Sequence, residues 1–257
     1  MALLALEKQG DIAVLRLNSG VTNPIGPELV NELSQAFARG RAEFRGLMLS
    51  GGDKFFSIGL DLPRLLPLDR AEMGSFFYSF SQTLLDLFTL PVPTACAIKG
   101  HAVGAGKTLL LACDYRYAAE GRTLIGLNEI KLGVPTPYLP DLILRQIAGD
   151  AVASDMLYRG EFIESSDAMR KGIIHAVFPK HEVEGQALER LAELASLPAH
   201  AYAATKRNRT EVIRSRYAAN YESRTEEFLD HWFSPPTQLL LKEGAKKFSL
   251  EGRPIPG

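Results

Sequence analysis

The sequence predicts an α/β core followed by a helical tail, and three observations carry that expectation. Short apolar runs of strand character alternate with helical patterns through most of the chain. Glycine and proline clusters punctuate those runs at the places where one pattern gives way to the next. From about residue 196 onward the pattern is helical throughout. The expected organisation is therefore a core over residues 1–195 and a helical region over 196–257, the latter a packing or assembly element.

Taken in order, Ile12–Leu17 (IAVLRL) alternates in part and is expected as a strand, with Asn18, Ser19 and Gly20 as its turn. Pro27 opens a helix over 28–39, whose apolar face carries Leu29, Val30, Leu33, Ala36 and Phe37. Gly46–Ser50 (GLMLS) is a short buried strand ended by Gly51, Gly52 and Asp53. Residues 62–90 hold helical stretches with Phe76, Phe77, Phe80, Leu84, Leu85 and Phe88 at helical spacing, closed by Pro91 and Pro93. A strand over 94–99 leads through a small-residue loop into a helix ending near Ala112. Residues 115–118 form another strand, and 124–127 a further short segment after a turn. Helical patterns then run from Pro140 to the end, interrupted by a strand-like stretch at 172–178 (GIIHAVF).

Composition narrows the class. With 257 residues, 46% hydrophobic and 23% charged, the chain is long and apolar enough for a sizeable core and is neither disordered nor fibrous. A formal net charge of −1 gives no general electrostatic reason to expect a nucleic-acid or anionic-membrane partner. Cys96 and Cys113 sit inside apolar runs, as core residues of a reducing compartment do, and not in a disulfide framework. The start, MALLALEKQGD, lacks a basic segment, and no apolar run approaches the roughly 20 residues of a membrane span, so a soluble cytoplasmic protein is expected. The five histidines show no metal-ligand spacing, and neither HExxH nor CxxC occurs. No metal is expected.

Three segments can carry chemistry. In FFSIGLDL (55–62) a glycine precedes a helix start, where backbone N–H groups are free to face a ligand; a plain strand-to-helix turn is the simpler alternative. In GHAVGAGKT (100–108) the last five residues look like the end of a phosphate-binding P-loop. That pattern needs its first glycine where His101 stands, however, and Gly100 lies one residue too early. The same small residues, Ala102, Gly104, Ala105 and Gly106, also let a backbone N–H approach a carbonyl oxygen, so two such loops can form an oxyanion hole. In IGLNEIKLG (125–133), Glu129 is an acid in an apolar, glycine-bounded stretch, where burial raises its pKa toward the range of a proton-transferring group. A helix-start carboxylate beside Asn128 is the simpler alternative. The Phe76, Phe77, Phe80 stripe is expected in the core. Lys206, Arg207, Asn208 and Arg209, like Lys246 and Lys247, are expected on solvated helix faces.

Four pieces in this order, KFFSIGLDL, IKGHAVGAGKTLLLACDYRYAA, IGLNEIKLGV and GIIHAVFP, resemble the crotonase-like enoyl-CoA hydratase/isomerase family over about residues 12–248. The run from CDYRYAA to IGLNE looks most like the Δ3,Δ2-enoyl-CoA isomerase branch. The resemblance implies a crotonase-like spiral of ββα turns with C-terminal helices that assemble a homo-trimer, or a dimer of trimers. It implies an acyl thioester of coenzyme A as substrate and no further cofactor. It places the amides of Leu60 and Ala105 on the thioester oxygen, and Ser57, Ile58, Gly59, Asp61, Leu62, Gly104, Thr108, Pro137 and Tyr138 along the substrate. Lys54, Arg64, Lys246 and Lys247 become candidates for the coenzyme A phosphates, and Leu62, Leu65, Phe77 and Phe80 for pocket walls.

Two departures bear on the chemistry. Glycine is commoner in the family where Ala105 stands, but alanine still supplies an N–H. Hydratases carry two glutamates on one water; here Thr108 occupies the first of those positions and Glu129 the second. A threonine hydroxyl orients water but is no base near neutral pH, so the expected activity is double-bond isomerisation with Glu129 as the catalytic acid/base. The alternatives are another crotonase-like reaction (weak hydration, thioester hydrolysis or carbon–carbon cleavage) or acyl-CoA binding without catalysis.

Overall fold

A parallel strand that is apolar on both sides needs cover on both faces, and this chain provides it. The computed structural model describes residues 2–250, with side chains described through residue 246. Strands β1 (Leu4–Gln9), β2 (Ile12–Leu17), β4 (Gly46–Ser50), β7 (Thr94–Ile98), β9 (Tyr115–Ala119) and β12 (Ala176–Phe178) form one sheet in that spatial order. All neighbours are parallel except the β1–β2 hairpin at the edge, which turns at Gly10 with φ +60. Alternate residues then sort to opposite faces. Leu15, Leu47, Leu49, Cys96, Ile98 and Ala118 enter the main core. Val14, Met48, Ala95, Ala97, Tyr117 and Ala119 face a second cluster closed by Val183, Ala187 and Leu191 of α8 (Val183–Ala195).

Each turn of chain after a strand of this sheet adds a short strand to a second one. Strand β5 (Phe55–Ser57) follows β4, β8 (His101–Val103) follows β7, and β10 (Leu124–Gly126) follows β9. With β11 (Phe162–Glu164) they form a second sheet in the order β11-β10-β8-β5, in which only the β10–β11 pair is antiparallel. Helix α3 (Arg70–Thr89) closes the first turn and α4 (Ala105–Ala112) the second, giving a spiral of ββα units. A two-stranded ladder of β3 (Pro24–Ile25) and β6 (Gly59–Leu60) lies beside it.

Helix α1 (Pro27–Glu43) has Pro27 at its first turn, where a missing N–H is harmless, and buries Leu29, Val30, Leu33, Ala36 and Phe37. The 62–90 stretch divides into a single turn, α2 (Leu62–Leu65), and α3. The break falls where Asp69 and Glu72 form a reciprocal capping box, worth about 1 kcal/mol. Past β10 come α5 (Tyr138–Ala148), α6 (Asp150–Arg159) and α7 (Ser165–Arg170). The strand-like stretch 172–178 is a strand only from Ala176. Before it, Gly172 takes φ +74, and the N–H groups of Ile173 and Ile174 return to the Ala168 carbonyl.

The tail consists of α9 (Ala199–Trp232) and α10 (Pro235–Leu250). It packs onto the core through Phe228, Leu229, Trp232 and Leu241. Lys206 corrects an expectation: it is buried, not solvated, because its ammonium bonds Asp114 at 2.7 Å and the Val92 carbonyl at 3.3 Å, tying α9 to the start of β7. Arg207, Asn208 and Arg209 on the same helix are exposed as expected.

Glu184 on α8 is the polar knot of the large sheet. It accepts from Arg16 of β2 at 2.7 Å and from Ser50 of β4 at 2.5 Å, and pairs with Lys99 just past β7 at 3.0 Å. Burial alone would raise this carboxyl, but the hydrogen bonds from Arg16, Ser50 and Lys99 outweigh it and bring it down to about 2 from 4.5. The native state thus holds the ionised form, and its stabilisation is complete above pH 4.5 and lost as the pH falls toward 2. Glu184→Gln is expected to lower stability by about 2 kcal/mol at pH 7. In denaturant melts the gap to the parent protein should close between pH 4.5 and 2; a gap independent of pH would contradict this.

Candidate active site

Two stretches of main chain meet at one end of the spiral. Gly59, at the start of β6, adopts φ +103; a Cβ there would lie 3.0 Å from the Val103 carbonyl oxygen and 3.3 Å from the Ala105 nitrogen. Only glycine allows both the dihedral and the approach. Gly104, with φ +49 and ψ −123, opens α4 directly opposite.

Several amides around this meeting point are bonded within the fold. Ile58 N–H donates to the Thr22 carbonyl at 2.9 Å, Gly59 N–H to Ser57 Oγ at 3.1 Å, and Asp61 N–H to the Ile25 carbonyl at 3.0 Å. A parallel ladder directs alternate residues to opposite sides, so with Asp61 bonded to β3 the Leu60 N–H turns away from it. Across the gap, Gly104 N–H donates to the Gly126 carbonyl at 2.9 Å, and Thr108 N–H closes the first helical turn onto the Gly104 carbonyl. Ala105 N–H belongs to the first turn of α4, whose amides have no intrahelical acceptor. Leu60 and Ala105 line the same cavity.

Strand β10 delivers Glu129 to that cavity. The chain leaves β10 at Gly126 and enters a single 3-10 turn, Glu129–Leu132, which Gly133 ends in the left-handed conformation. Asn128 makes no side-chain cap, so the carboxylate is not spent on closing the turn. A Cβ on Gly104 would lie 3.6 Å from Glu129 Oε1, while Glu129 Oε2 is fully buried with no hydrogen-bond partner. Burial raises the Glu129 carboxyl to about 7; its own backbone N–H and the charge of Lys107 pull it down only in part. Such a group takes and returns protons near neutrality.

The cavity measures about 60 Å³ and is apolar apart from these groups. Its walls include Phe77, Phe80, Phe228, Trp232 and Leu241, with Phe77 stacked on Phe228 at 4.2 Å between ring centroids. A larger cavity of about 420 Å³ adjoins it across Phe77, Pro137 and Phe228. Among the described residues that line the smaller cavity, Glu129 alone is titratable. Thr108 lines it too, but its hydroxyl proton is committed to the Ala105 carbonyl at 2.7 Å, which leaves the oxygen only as an acceptor.

Of the residues expected along a substrate, Ile58, Gly59, Leu62, Gly104, Thr108 and Pro137 line the cavity. Ser57 stands behind it, bonding the Asn23 carbonyl at 2.7 Å and so shaping the Gly59 turn. Asp61 is half-buried at the start of α2, and Tyr138 faces the adjoining cavity beneath Arg224. Leu65 is buried in the core, away from the cavity. Lys54 and Lys246 are exposed, Arg64 is held by Glu28 at 2.6 Å, and the Lys247 side chain lies outside the described residues. Sequence reasoning missed Phe228, Trp232 and Leu241, whose signal is an apolar face on an otherwise polar tail. Among the described residues, no group of three or more His, Cys, Asp or Glu is placed to hold a metal ion, and no helix is long and apolar enough to cross a membrane.

The P-loop likeness does not survive. Cβ atoms on Gly100 and Gly106 would meet the Lys54 and Ser57 main chains at 2.4 and 2.6 Å, so these glycines serve close packing of backbone on backbone. Lys107 is 0% exposed, with its ammonium against Met156 Sδ at 3.9 Å, where no phosphate can reach it.

A ββα spiral closed by C-terminal helices defines a crotonase-fold protein. The chain belongs to the enoyl-CoA hydratase/isomerase family, which matches residues 7–254. It is 28% identical to human mitochondrial enoyl-CoA delta isomerase 1 over 222 residues, which are 85% of this chain and 74% of that protein. It is 32% identical to a putative enoyl-CoA hydratase of Thermus thermophilus over 194 residues, 73% of this chain and 74% of that one. Its fold superimposes on human mitochondrial delta3-delta2-enoyl-CoA isomerase with a TM-score of 0.92 at 25% identity, covering 97% of this chain and 99% of the other.

Lys107 carries a testable consequence. Burial lowers its ammonium to about 7 from 10.5, and the Glu129 charge offsets this only in part. The unfolded chain therefore binds the extra proton between pH 7 and 10.5, and this residue destabilises the fold most below pH 7. Lys107→Met, of similar length and apolar, is expected to stabilise the protein by about 2 kcal/mol at pH 6. In thermal melts that advantage should fade as the pH rises toward 10.5.

Proposed function

We propose that the protein is an enoyl-CoA isomerase that moves a double bond of a 3-enoyl thioester into conjugation. One observation carries the proposal: among the described residues that line the cavity Glu129 is the one titratable side chain, and Leu60 and Ala105 line the same cavity. The thioester oxygen sits between the N–H groups of those two residues. The Glu129 carboxylate removes a proton from C2, the C1–C2 bond becomes double, and the carbonyl electron pair moves onto the thioester oxygen as a dienolate. Glu129 then returns the same proton to C4: the C3–C4 electron pair forms the new C–H bond, the C1–C2 double bond shifts to C2–C3 and the carbonyl re-forms, so atoms and charge balance. A positioned base of this kind contributes about 10²–10⁴-fold. Each oxyanion donor is worth about 2.7–4 kcal/mol in the transition state. The names of the human relatives, by sequence and by structure, support the same direction.

Hydration is the second reading, favoured by the hydratase name of the Thermus thermophilus relative. Adding water needs a second group to activate it, and Thr108 offers only an acceptor lone pair. Its contribution is expected to be weak.

Mixing the purified protein with a 3-enoyl-CoA and following conjugated thioester by absorbance tests the proposal. The expected result is turnover on 3-enoyl-CoA with little hydration of 2-enoyl-CoA, and a loss of about 10²–10⁴-fold in kcat for Glu129→Gln. Because Glu129 must be ionised to take the proton, kcat/KM should rise with pH and level off above about 7. Full activity in Glu129→Gln, or turnover confined to 2-enoyl, 3-hydroxyacyl or 3-oxoacyl thioesters, would sink it.

A further inference from the structure

Arg116 is a nearly buried cation with one guanidinium nitrogen to spare. It stands on β9, 6% exposed, and main chain holds two of its nitrogens. Nε donates to the Ile173 carbonyl and Nη1 to the Cys113 carbonyl, each at 2.6 Å. These bonds account for an arginine between the end of α4 and the link before β12, but they do not use Nη2. That nitrogen makes no hydrogen bond among the described residues, yet it is not one of the buried polar atoms that lack a partner. It therefore remains open to the cavity that Arg116 lines.

This cavity, of about 570 Å³, lies between the start of β9, the ends of α4 and α5, and the first half of α9. It shares no lining residue with the Glu129 cavity. It takes Leu111 and Cys113 from the far end of α4, where the Glu129 cavity takes Ala105 and Thr108 from the first turn. Three cations, Arg116, Lys206 and Arg209, line it against one carboxylate, Asp114. Asp114 is already engaged by the Lys206 ammonium at 2.7 Å and the Tyr202 hydroxyl at 3.1 Å. Arg116 and Arg209 make no ion pair among the described residues. His175 adds a neutral donor. Its Nδ1 accepts from the Arg116 backbone N–H at 3.1 Å, which leaves the ring proton on Nε2, and Nε2 has no partner among the described residues. Burial and the Arg116 charge lower this imidazole to about 4, so the ring is uncharged near neutrality.

We propose that this cavity is a binding site for a phosphate group, separate from the acyl-thioester site, with Arg116 Nη2 and His175 Nε2 as hydrogen-bond donors and Arg209 as the second uncompensated charge. A guanidinium buried without a counter-ion costs stability, and a bound anion offsets that cost. Two uncompensated positive charges match a phosphomonoester, which carries about −1.5 to −2 near neutral pH, better than a single carboxylate. Guanidinium N–H groups also suit phosphate oxygens in geometry.

Calorimetric titration of the purified protein with inorganic phosphate, at constant ionic strength, tests the proposal. Saturable binding is expected, with acetate at least about tenfold weaker. Arg209→Gln, a change at an exposed position, should weaken phosphate binding by about tenfold. Arg207→Gln, on the same helix but outside the cavity, should leave it unchanged. With nitrogen-labelled histidine, the His175 ring signals, assigned by their loss in His175→Gln, should move on adding phosphate while those of His101, His181, His200 and His231 stay in place. No saturable binding up to about 10 mM phosphate would overturn the proposal, and so would equal losses in Arg209→Gln and Arg207→Gln or an unmoved His175. Displacement of bound phosphate by coenzyme A, but not by coenzyme A lacking its 3′-phosphate, would assign the site to the substrate and overturn its separateness.

Discussion

The site depends on one close approach of backbone to backbone, where β6 passes the first turn of α4. At Gly59 the neighbouring carbonyl and amide come so near that any side chain would push the two segments apart. Everything around the contact is arranged to keep it. Asn23, itself at φ +45, bonds the Phe55 and Phe56 carbonyls, and its own carbonyl takes the Ser57 hydroxyl, which in turn receives the Gly59 N–H. The β3–β6 ladder then fixes which way the Leu60 amide points. Leu60 and Ala105 line one cavity as a result.

Burial is the second constraint, and it acts on acid and base alike. One apolar surround lifts the Glu129 carboxyl to about 7 and lowers the Lys107 ammonium to about 7. The opposite shifts have one cause, the loss of water around a charge. Glu184, on the far side of the large sheet, shows the contrast: it is also partly buried, but three donors surround it and its carboxyl falls to about 2. The two carboxyls differ in the donors that face them: Arg16, Ser50 and Lys99 surround Glu184, whereas Glu129 Oε2 has no hydrogen-bond partner. Such a site weakens the fold it sits in, a common feature of groups kept for chemistry.

How much of this the sequence discloses follows from element length. IAVLRL, GLMLS and TACAI are legible as strands because both faces of the large sheet are covered and the runs are apolar throughout. The strands of the second sheet are three residues long and β6 of the small ladder only two, too short for any period to register, so β5, β6, β8 and β11 are visible only in three dimensions. Residues 55–60 therefore look like a loop although they pair on both sides. Glu129, Leu60 and Ala105 emerge from the sequence through the order of four family-like pieces, since each has a bland local alternative. Lys107 misleads in the other direction: GAGKT suggests an exposed phosphate cradle, while the helix it begins turns the lysine inward. Phe228, Trp232 and Leu241 lie about a hundred residues from Glu129, and spacing says nothing about such a distance.

Those distant residues matter to the chemistry. The tail helices close the cavity with Phe228, Trp232 and Leu241, and that closure keeps water from the Glu129 carboxyl. Water admitted there would solvate both Glu129 and Lys107, return each toward its ordinary pKa, and supply a competing proton acceptor. Thr108 reinforces the exclusion. Its hydroxyl proton is bonded within α4, so it holds no proton toward the cavity. The helical region expected only to pack or assemble thus supplies three apolar side chains to the walls of the cavity that Glu129 lines.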